Sequence, residues 1–245
     1  MDPKNKIQVF QTDAELTEVA CQLIIEIAQK AIHTRGKFII ALSGGHSPQK
    51  LYAAFSTLPF RDQIPWDKTF IFWGDERCVP TNDERNNAYM AQSLLLAHVA
   101  IPSSNIYPIP VELSPAEAAM EYEKTIQKFF QDETPHYDII LLGLGENGHT
   151  ASIFPYTDVI SENTRLIKEI YVAEQNMFRI TMTANLINQA HHIVFLVTGK
   201  NKAKVLNQVL DGPYQPSKYP AQLIKPIYGR LYWFIDTEAA ALLPG

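Results

Sequence analysis

His149 is the side chain of this sequence best suited to proton transfer. It lies in the segment Gly143–Pro155 (GLGENGHTASIFP), which follows an apolar run and contains three glycines. A histidine titrates near neutral pH, so at this position it could take a proton from water or from a substrate hydroxyl. The alternative is a histidine that only satisfies the backbone groups of a tight turn, and the residues by themselves leave both interpretations open.

The glycines of the same segment have the spacing G-x-G-x-x-G, which also occurs in dinucleotide-binding loops. Such a loop needs a long helix directly after its third glycine, because the helix N-terminus holds the pyrophosphate. Pro155 stands seven residues after Gly148, and a proline inside a helix costs ~3 kcal/mol or more. We therefore favour glycines that let the backbone turn sharply, so that Asn147 and His149 point into a cleft.

Two further segments could hold an anion. Ser43–Gly45 precedes a helix for which we predict Ser47 as the N-cap and Pro48 as the first residue. Backbone N–H groups at a helix N-terminus attract phosphate, although a tight, capped turn would also explain Ser47 and Pro48. The arginine of the segment Asp75–Arg77 can grip phosphate oxygens with its planar guanidinium group, or can form a surface salt bridge instead.

Composition excludes several classes of function. The net charge of -5, the pI near 5.8 and the lack of a lysine or arginine cluster argue against a nucleic-acid surface. Apolar runs of about seven residues are too short to span a bilayer, and the N-terminus lacks the pattern of a signal peptide. Cys21 and Cys78 are far apart in sequence and form no paired motif, which is typical of proteins of the reducing cytosol. Metal-binding motifs are missing, and His191 and His192 should face opposite sides of a strand, so we expect no metal. We also expect a cytoplasmic protein.

Strands and helices alternate along the chain. Short apolar runs predict buried strands at Lys37–Leu42, Lys68–Gly74, Tyr137–Gly143, Phe178–Thr183, His191–Gly199 and Arg230–Asp236. Helical spacing predicts helices at Leu16–Ile32, Gln49–Phe55, Arg85–Val99, Ser114–Phe130 and Asn201–Leu210. This order predicts an α/β fold with a doubly wound, mostly parallel sheet and helices on both faces, in a single domain over residues 1–245. Ligands bind beyond the carboxyl ends of the strands in such sheets, where the segments described above fall.

Six motifs, in order, resemble those of the 6-phosphogluconolactonases of the oxidative pentose phosphate pathway. LSGGHSP is similar to the family's S-G-G-S-T-P phosphate loop, and GDERCVPTNDERNNAYMAQSLL to its D-E-R-x-V-P segment followed by S-N-Y. GLGENGHTASIFP is close to the signature G-x-G-x-D-G-H-T-A-S-L-F-P. The match continues through RITMTANLINQA and VTGKNKAKVL to PAQLIKP and GRLYWFID. His46 with Ser47, Asn86 and Asn147 depart from the family's pattern.

The resemblance implies an enzyme that hydrolyses a sugar lactone with a phosphate on C6, with His149 activating water and with no cofactor or metal. The implied candidates for holding this small-molecule sugar phosphate are Ser43, Gly44, Gly45, Asp75, Arg77, Asn147, Arg179 and Lys202. One alternative is a sugar-phosphate isomerase or deaminase of the same fold, although its loop carries a glutamate that ASIFP lacks. The other is a non-catalytic sugar-phosphate-binding protein. The oligomeric state, a monomer or a small homo-oligomer, stays open.

Asn147 stands where the family has an aspartate. A carboxylate there could stabilise the protonated imidazole of His149. We expect instead that Asn147 fixes the loop backbone, in a conformation with positive φ that asparagine tolerates. On that interpretation, Asn147→Asp should move the acidic limb of the pH–rate profile only slightly.

Overall fold

The computed structural model describes residues 5–244, and its central element is a sheet of six parallel strands. In spatial order these are β1 (Asn5–Phe10), β9 (Arg230–Asp236), β8 (His192–Val197), β5 (Ile139–Leu142), β2 (Phe38–Leu42) and β3 (Thr69–Trp73). Every residue of β2 and β5 is buried, as expected of strands that are covered on both faces. The predicted doubly wound α/β fold is confirmed.

The α-helices of the described chain lie between its strands in sequence. They are α1 (Asp13–Arg35), α2 (His46–Phe55), α3 (Asn87–Leu94), α4 (Pro115–Phe129), α5 (Ala184–Ile187) and α6 (Ala203–Leu210). The Thr12 hydroxyl caps α1 by accepting the Glu15 N–H at 3.1 Å, and Gly36 ends the helix in a left-handed conformation. Within residues 5–244, none of the helices is both long enough and apolar enough to cross a membrane.

The start of α2 differs from the prediction. Gly45, with φ 105°, is the N-cap, so the helix begins at His46. Ser47 makes no cap, because the positive φ of Gly45 turns the chain into the helix two residues earlier. The Ser47 hydroxyl lies instead 2.8 Å from the Thr198 hydroxyl, which ties α2 to the end of β8.

A second, antiparallel sheet stands beside the first. It contains β4 (Asp75–Arg77), β7 (Met177–Met182) and β6 (Ile167–Val172), in this order. The prediction for Phe178–Thr183 located β7, whereas β1, β4 and β6 were not predicted. β6 exposes or half-exposes three of its six residues, so it lacks the continuous apolar run of a central strand.

The order of the strands creates a crevice between β2 and β5. From β2 the chain proceeds to β3 at one edge of the sheet, whereas from β5 it proceeds through β8 to β9 in the opposite direction. Loops that leave two neighbouring strands in opposite directions diverge, and the gap between them is the usual ligand site of such folds. Ser43–Gly45 and Gly143–His149 are the loops at this gap.

Candidate active site

A cavity of about 800 Å³ opens at the carboxyl ends of the central strands. Its walls are the loops that follow β2, β3, β5 and β8, together with the turn between β6 and β7. The structure brings all nine predicted site residues to this cavity: Ser43, Gly44, Gly45, Asp75, Arg77, Asn147, His149, Arg179 and Lys202.

The glycines of the loop after β5 make room for His149. The Gly145 N–H donates to the His149 carbonyl at 2.8 Å, and the loop turns at Gly148, whose φ is 85°. A methyl group on Gly145 would overlap the imidazole ring, and one on Gly148 would lie 2.9 Å from Tyr219. The residues from Thr150 to Pro155 form no helix, which removes the element that a dinucleotide-binding loop requires.

Asn147 fixes both the backbone and the ring of His149. Its Oδ1 accepts the His149 backbone N–H at 3.2 Å and lies 2.6 Å from Nδ1. A backbone N–H can only donate, so this atom is assigned as the carbonyl oxygen and Nδ1 as the protonated ring nitrogen. Nε2 then carries the lone pair, and within residues 5–244 it has no hydrogen-bond partner.

The expectation of a positive φ at Asn147 was wrong. In this loop and directly after it, positive φ occurs at Gly148 and at Ala151. Gly148 makes the turn at no steric cost, so Asn147 acts through its side chain and keeps an ordinary backbone conformation. Its contact with Nδ1 also couples position 147 directly to the ring, a role that the sequence allows but that we ranked below the backbone role.

The surroundings of His149 keep its imidazole uncharged at neutral pH. Burial is the main reason why the pKa of His149 falls to about 4, and the positive charge of Arg179 lowers it further. The Asp75 carboxylate acts in the opposite direction, while Lys202 and Arg77 add to the lowering. The ring stacks on Phe154 with 4.1 Å between centroids.

Arg179 is a buried cation held by side chains from three segments. Its Nη1 lies 3.7 Å from Oδ2 of Asp75, its Nη2 donates to Gln175, and its guanidinium lies 5.4 Å from the ring centroid of Phe154. The same Asp75 oxygen accepts the Ser152 hydroxyl at 2.6 Å. Asp75 is thus occupied in holding Arg179 and Ser152, so we assign it a structural rather than a proton-transfer role.

Arg77 and Arg179 line the same cavity. They are directly opposite each other in the pairing of β4 with β7. Nε of each is buried and has no hydrogen-bond partner in the described part of the chain, while Arg77 Nη1 donates to the Arg85 carbonyl at 2.6 Å. Like charges that face each other across two strands destabilise the sheet, and an anion bound between them would offset that repulsion.

The loop after β2 offers backbone donors to the same cavity. A methyl group on Gly44 would overlap the amide of Asn87, which donates to the Asp75 carbonyl at 2.9 Å. Gly45 precedes the first turn of α2, whose free N–H groups and dipole attract anions. Lys202 lies on the loop that follows β8, and burial lowers its pKa.

Sequence reasoning did not assign Ser152, Gln175 and Asn87. Ser152 and Asn87 lie inside motifs that resemble the family's, but their serine and asparagine side chains gave no reason to single them out. Gln175 lies in the turn between β6 and β7, and β6 itself was not predicted. Within residues 5–244, no three histidine, cysteine or acidic side chains are grouped so that they could hold a metal ion.

Known proteins resemble this chain in sequence and in fold. The family model described as glucosamine-6-phosphate isomerases/6-phosphogluconolactonase matches residues 11–233. A 6-phosphogluconolactonase of Synechocystis sp. is 40% identical over 238 residues, 96% of each chain, and one of Nostoc sp. is 38% identical over 98% of this chain and 99% of its own. The structure of 6-phosphogluconolactonase from Trypanosoma cruzi superposes with a TM-score of 0.88 at 31% identity, and the match covers 100% of this chain and 99% of that one.

Proposed function

The chain belongs to the glucosamine-6-phosphate isomerase/6-phosphogluconolactonase family, and we propose that it hydrolyses 6-phospho-D-glucono-1,5-lactone to 6-phosphogluconate in the oxidative pentose phosphate pathway, with His149 as the general base. One observation carries the proposal: a neutral imidazole shares its cavity with the cations Arg77, Arg179 and Lys202. The lactone carbon that water attacks is uncharged, whereas a phosphate monoester carries about -1.5 to -2 charges at pH 7. The relatives named 6-phosphogluconolactonase, which match over nearly the whole chain, support this substrate.

The tautomer of His149 suits a water-activating base. Nε2 takes a proton from water while the water oxygen attacks the lactone carbonyl carbon, and the Nδ1–H bond to Asn147 holds the ring in place. Backbone N–H groups or a cationic side chain stabilise the negative charge that develops on the carbonyl oxygen. When the bond from this carbon to the ring oxygen breaks, the imidazolium returns the proton to that oxygen. A pKa of about 4 makes the imidazolium a strong acid, which favours this second transfer.

The phosphate is assigned to the side of the cavity formed by Ser43–Gly45 and the N-terminus of α2. Backbone N–H groups there supply directed donors, and Lys202, Arg77 and Arg179 supply positive charge. The hydroxyl-bearing ring then extends towards His149. No step of this reaction requires an electron carrier, because one water molecule is added across one ester bond.

A direct assay tests the proposal. Freshly generated phosphorylated lactone is compared with plain gluconolactone, with EDTA present and with correction for spontaneous hydrolysis. Each lost charge-assisted hydrogen bond costs about 1.5–3 kcal/mol, so kcat/KM should be at least about tenfold lower for the plain lactone. Equal efficiency on both lactones would contradict the phosphate site. Turnover of glucosamine 6-phosphate without lactone hydrolysis would favour the isomerase or deaminase alternative.

Two further features are part of the proposal. We propose a single domain over residues 1–245, which is supported by the pairing of β1 with β9, since this pairing joins the first and last strands of the described chain in one sheet. We also propose a cytoplasmic location. The unpaired thiols of Cys21 and Cys78 are compatible with a reducing compartment.

A further inference from the structure

Ser43 is the first residue after β2, and its main chain needs hydrogen-bond partners outside the sheet. The pairing of β2 with β3 ends at Leu42 and Trp73, and the last ladder bond runs from the Gly74 N–H to the Leu42 carbonyl at 2.9 Å. Ser43 is nevertheless only 4% exposed. A buried N–H or C=O without a partner costs free energy comparable to a lost hydrogen bond.

The Tyr52 hydroxyl serves both groups of Ser43 at once. It donates to the Ser43 carbonyl at 2.7 Å and accepts the Ser43 N–H at 3.0 Å. Tyr52 lies on α2 and is buried, and burial raises its pKa, so the hydroxyl keeps the proton that it donates. A single side chain of α2 therefore fixes the end of β2, where the glycine loop (Ser43–Gly45) begins.

We propose that Tyr52 is a positioning residue for the phosphate end of the substrate, a role that rests on the proposed function. Gly44 and Gly45, between Ser43 and α2, have no side chains that could hold their N–H groups in one direction. Tyr52 closes this short loop by joining its first residue to the helix that follows it. Without the hydroxyl, the Ser43 backbone turns towards other partners, and the N–H groups of the two glycines turn with it. Displacements of about 1 Å at such donors are costly for binding and catalysis.

Tyr122 offers a matched control. Its hydroxyl donates to the Trp73 carbonyl at 3.0 Å and accepts the Trp73 N–H at 2.8 Å, so it repeats the same arrangement at the end of β3. Tyr122 is fully buried, and neither it nor Trp73 lines the cavity. Replacement of either tyrosine by phenylalanine removes a matching pair of buried hydrogen bonds, but only Tyr52 bonds to the first residue of the loop Ser43–Gly45.

The test compares Tyr52→Phe with Tyr122→Phe. Thermal melts should show similar losses of Tm in both variants. Tyr52→Phe should raise the Kd for inorganic phosphate and the KM for the phosphorylated lactone about tenfold, because directed donors to an anion are lost. Its kcat and its KM for plain gluconolactone should change less than about threefold, and Tyr122→Phe should leave all of these values near native.

Two results would overturn the proposal. The first is an unchanged Kd for phosphate in Tyr52→Phe, and the second is an equal change of that Kd in both variants, which would indicate a general effect of destabilisation. Phosphate binding needs no turnover. If the native protein opens no lactone but Tyr52→Phe alone weakens phosphate binding, then the proposed function fails while the role of Tyr52 stands.

Discussion

Replacement of Asn147 by aspartate should raise the pKa of His149 and shift the acidic limb of the pH–rate profile upwards. In the native protein, burial and the cation Arg179 hold this pKa at about 4. The side chain at position 147 already touches the ring, since its Oδ1 lies 2.6 Å from Nδ1. An aspartate in the same place would add a negative charge next to a ring that becomes positive when it takes a proton.

The magnitude follows from the distance. With 2.6 Å between the nearest atoms, the centres of the two charges lie about 4 Å apart, which corresponds to about 4 kcal/mol at an effective dielectric constant of about 20. One pKa unit equals about 1.4 kcal/mol, so the upper limit is about three units. Water in the open cavity weakens this attraction, and the three cations that line the cavity compete with the imidazolium for the new carboxylate. Both effects make the rise in pKa smaller than the upper limit. We therefore expect a rise of about one to two units, with an apparent pKa that belongs to the coupled pair.

The assay is kcat/KM for the phosphorylated lactone from about pH 4 to about pH 8. The second ionisation of the phosphate, near pH 6, contributes equally to both proteins, so the comparison of variants removes it. Asn147→Ala is the control, because it removes the acceptor without adding a charge. We expect it to lower kcat, since the ring loses its orientation, but not to raise the acidic limb.

A limb that moves by less than about half a unit in Asn147→Asp would refute this reasoning. It would mean that another group titrates, or that position 147 does not touch the ring in the working enzyme. The sequence by itself led us to expect only a slight shift. The contact with Nδ1 is the reason why we now predict a larger shift.

Three further predictions concern the same loop. His149→Ala removes the proposed base and leaves the proposed phosphate site, so kcat should fall by roughly 10²–10⁴ with KM little changed. Near-native kcat in steady-state kinetics would assign the base elsewhere. The pKa of His149 in the folded protein, about 4, is below its ordinary value of 6.5, so the unfolded chain binds the proton first as the pH falls. The native protein should lose up to about 3 kcal/mol of stability between about pH 6.5 and pH 4, and urea unfolding should show a smaller loss in His149→Ala. Gly145→Ala forces a methyl group into the imidazole of His149 and should lower kcat at least about tenfold. Gly143→Ala is the control, because its methyl group meets no atom within 4 Å, and it should not lower kcat. Equal kcat values in the two variants would contradict this prediction.

The sequence alone determined five of the six strands of the main sheet, all but β1, and the loops that line the candidate site. Continuous apolar runs such as those of β2 and β5 arise because both faces of a central parallel strand are buried, and this pattern is local enough to be identified without a structure. The glycine-rich segments at the carboxyl ends of these strands also stand out locally. The nine predicted site residues therefore line one cavity, although they come from five separate segments.

The tertiary structure decided what depends on partners that are distant in the chain. The pairing of β4 with β7 places Arg77 opposite Arg179, about a hundred residues later, and no local pattern records this pairing. Ser47 bonds to Thr198 and does not cap its own helix. The pKa of His149 depends on burial and on charges from other loops, so residue type alone could not have indicated its direction. Local sequence sets the preferences of each segment for strand, helix or turn, but hydrogen-bond partners and burial come from packing, which only the folded chain determines.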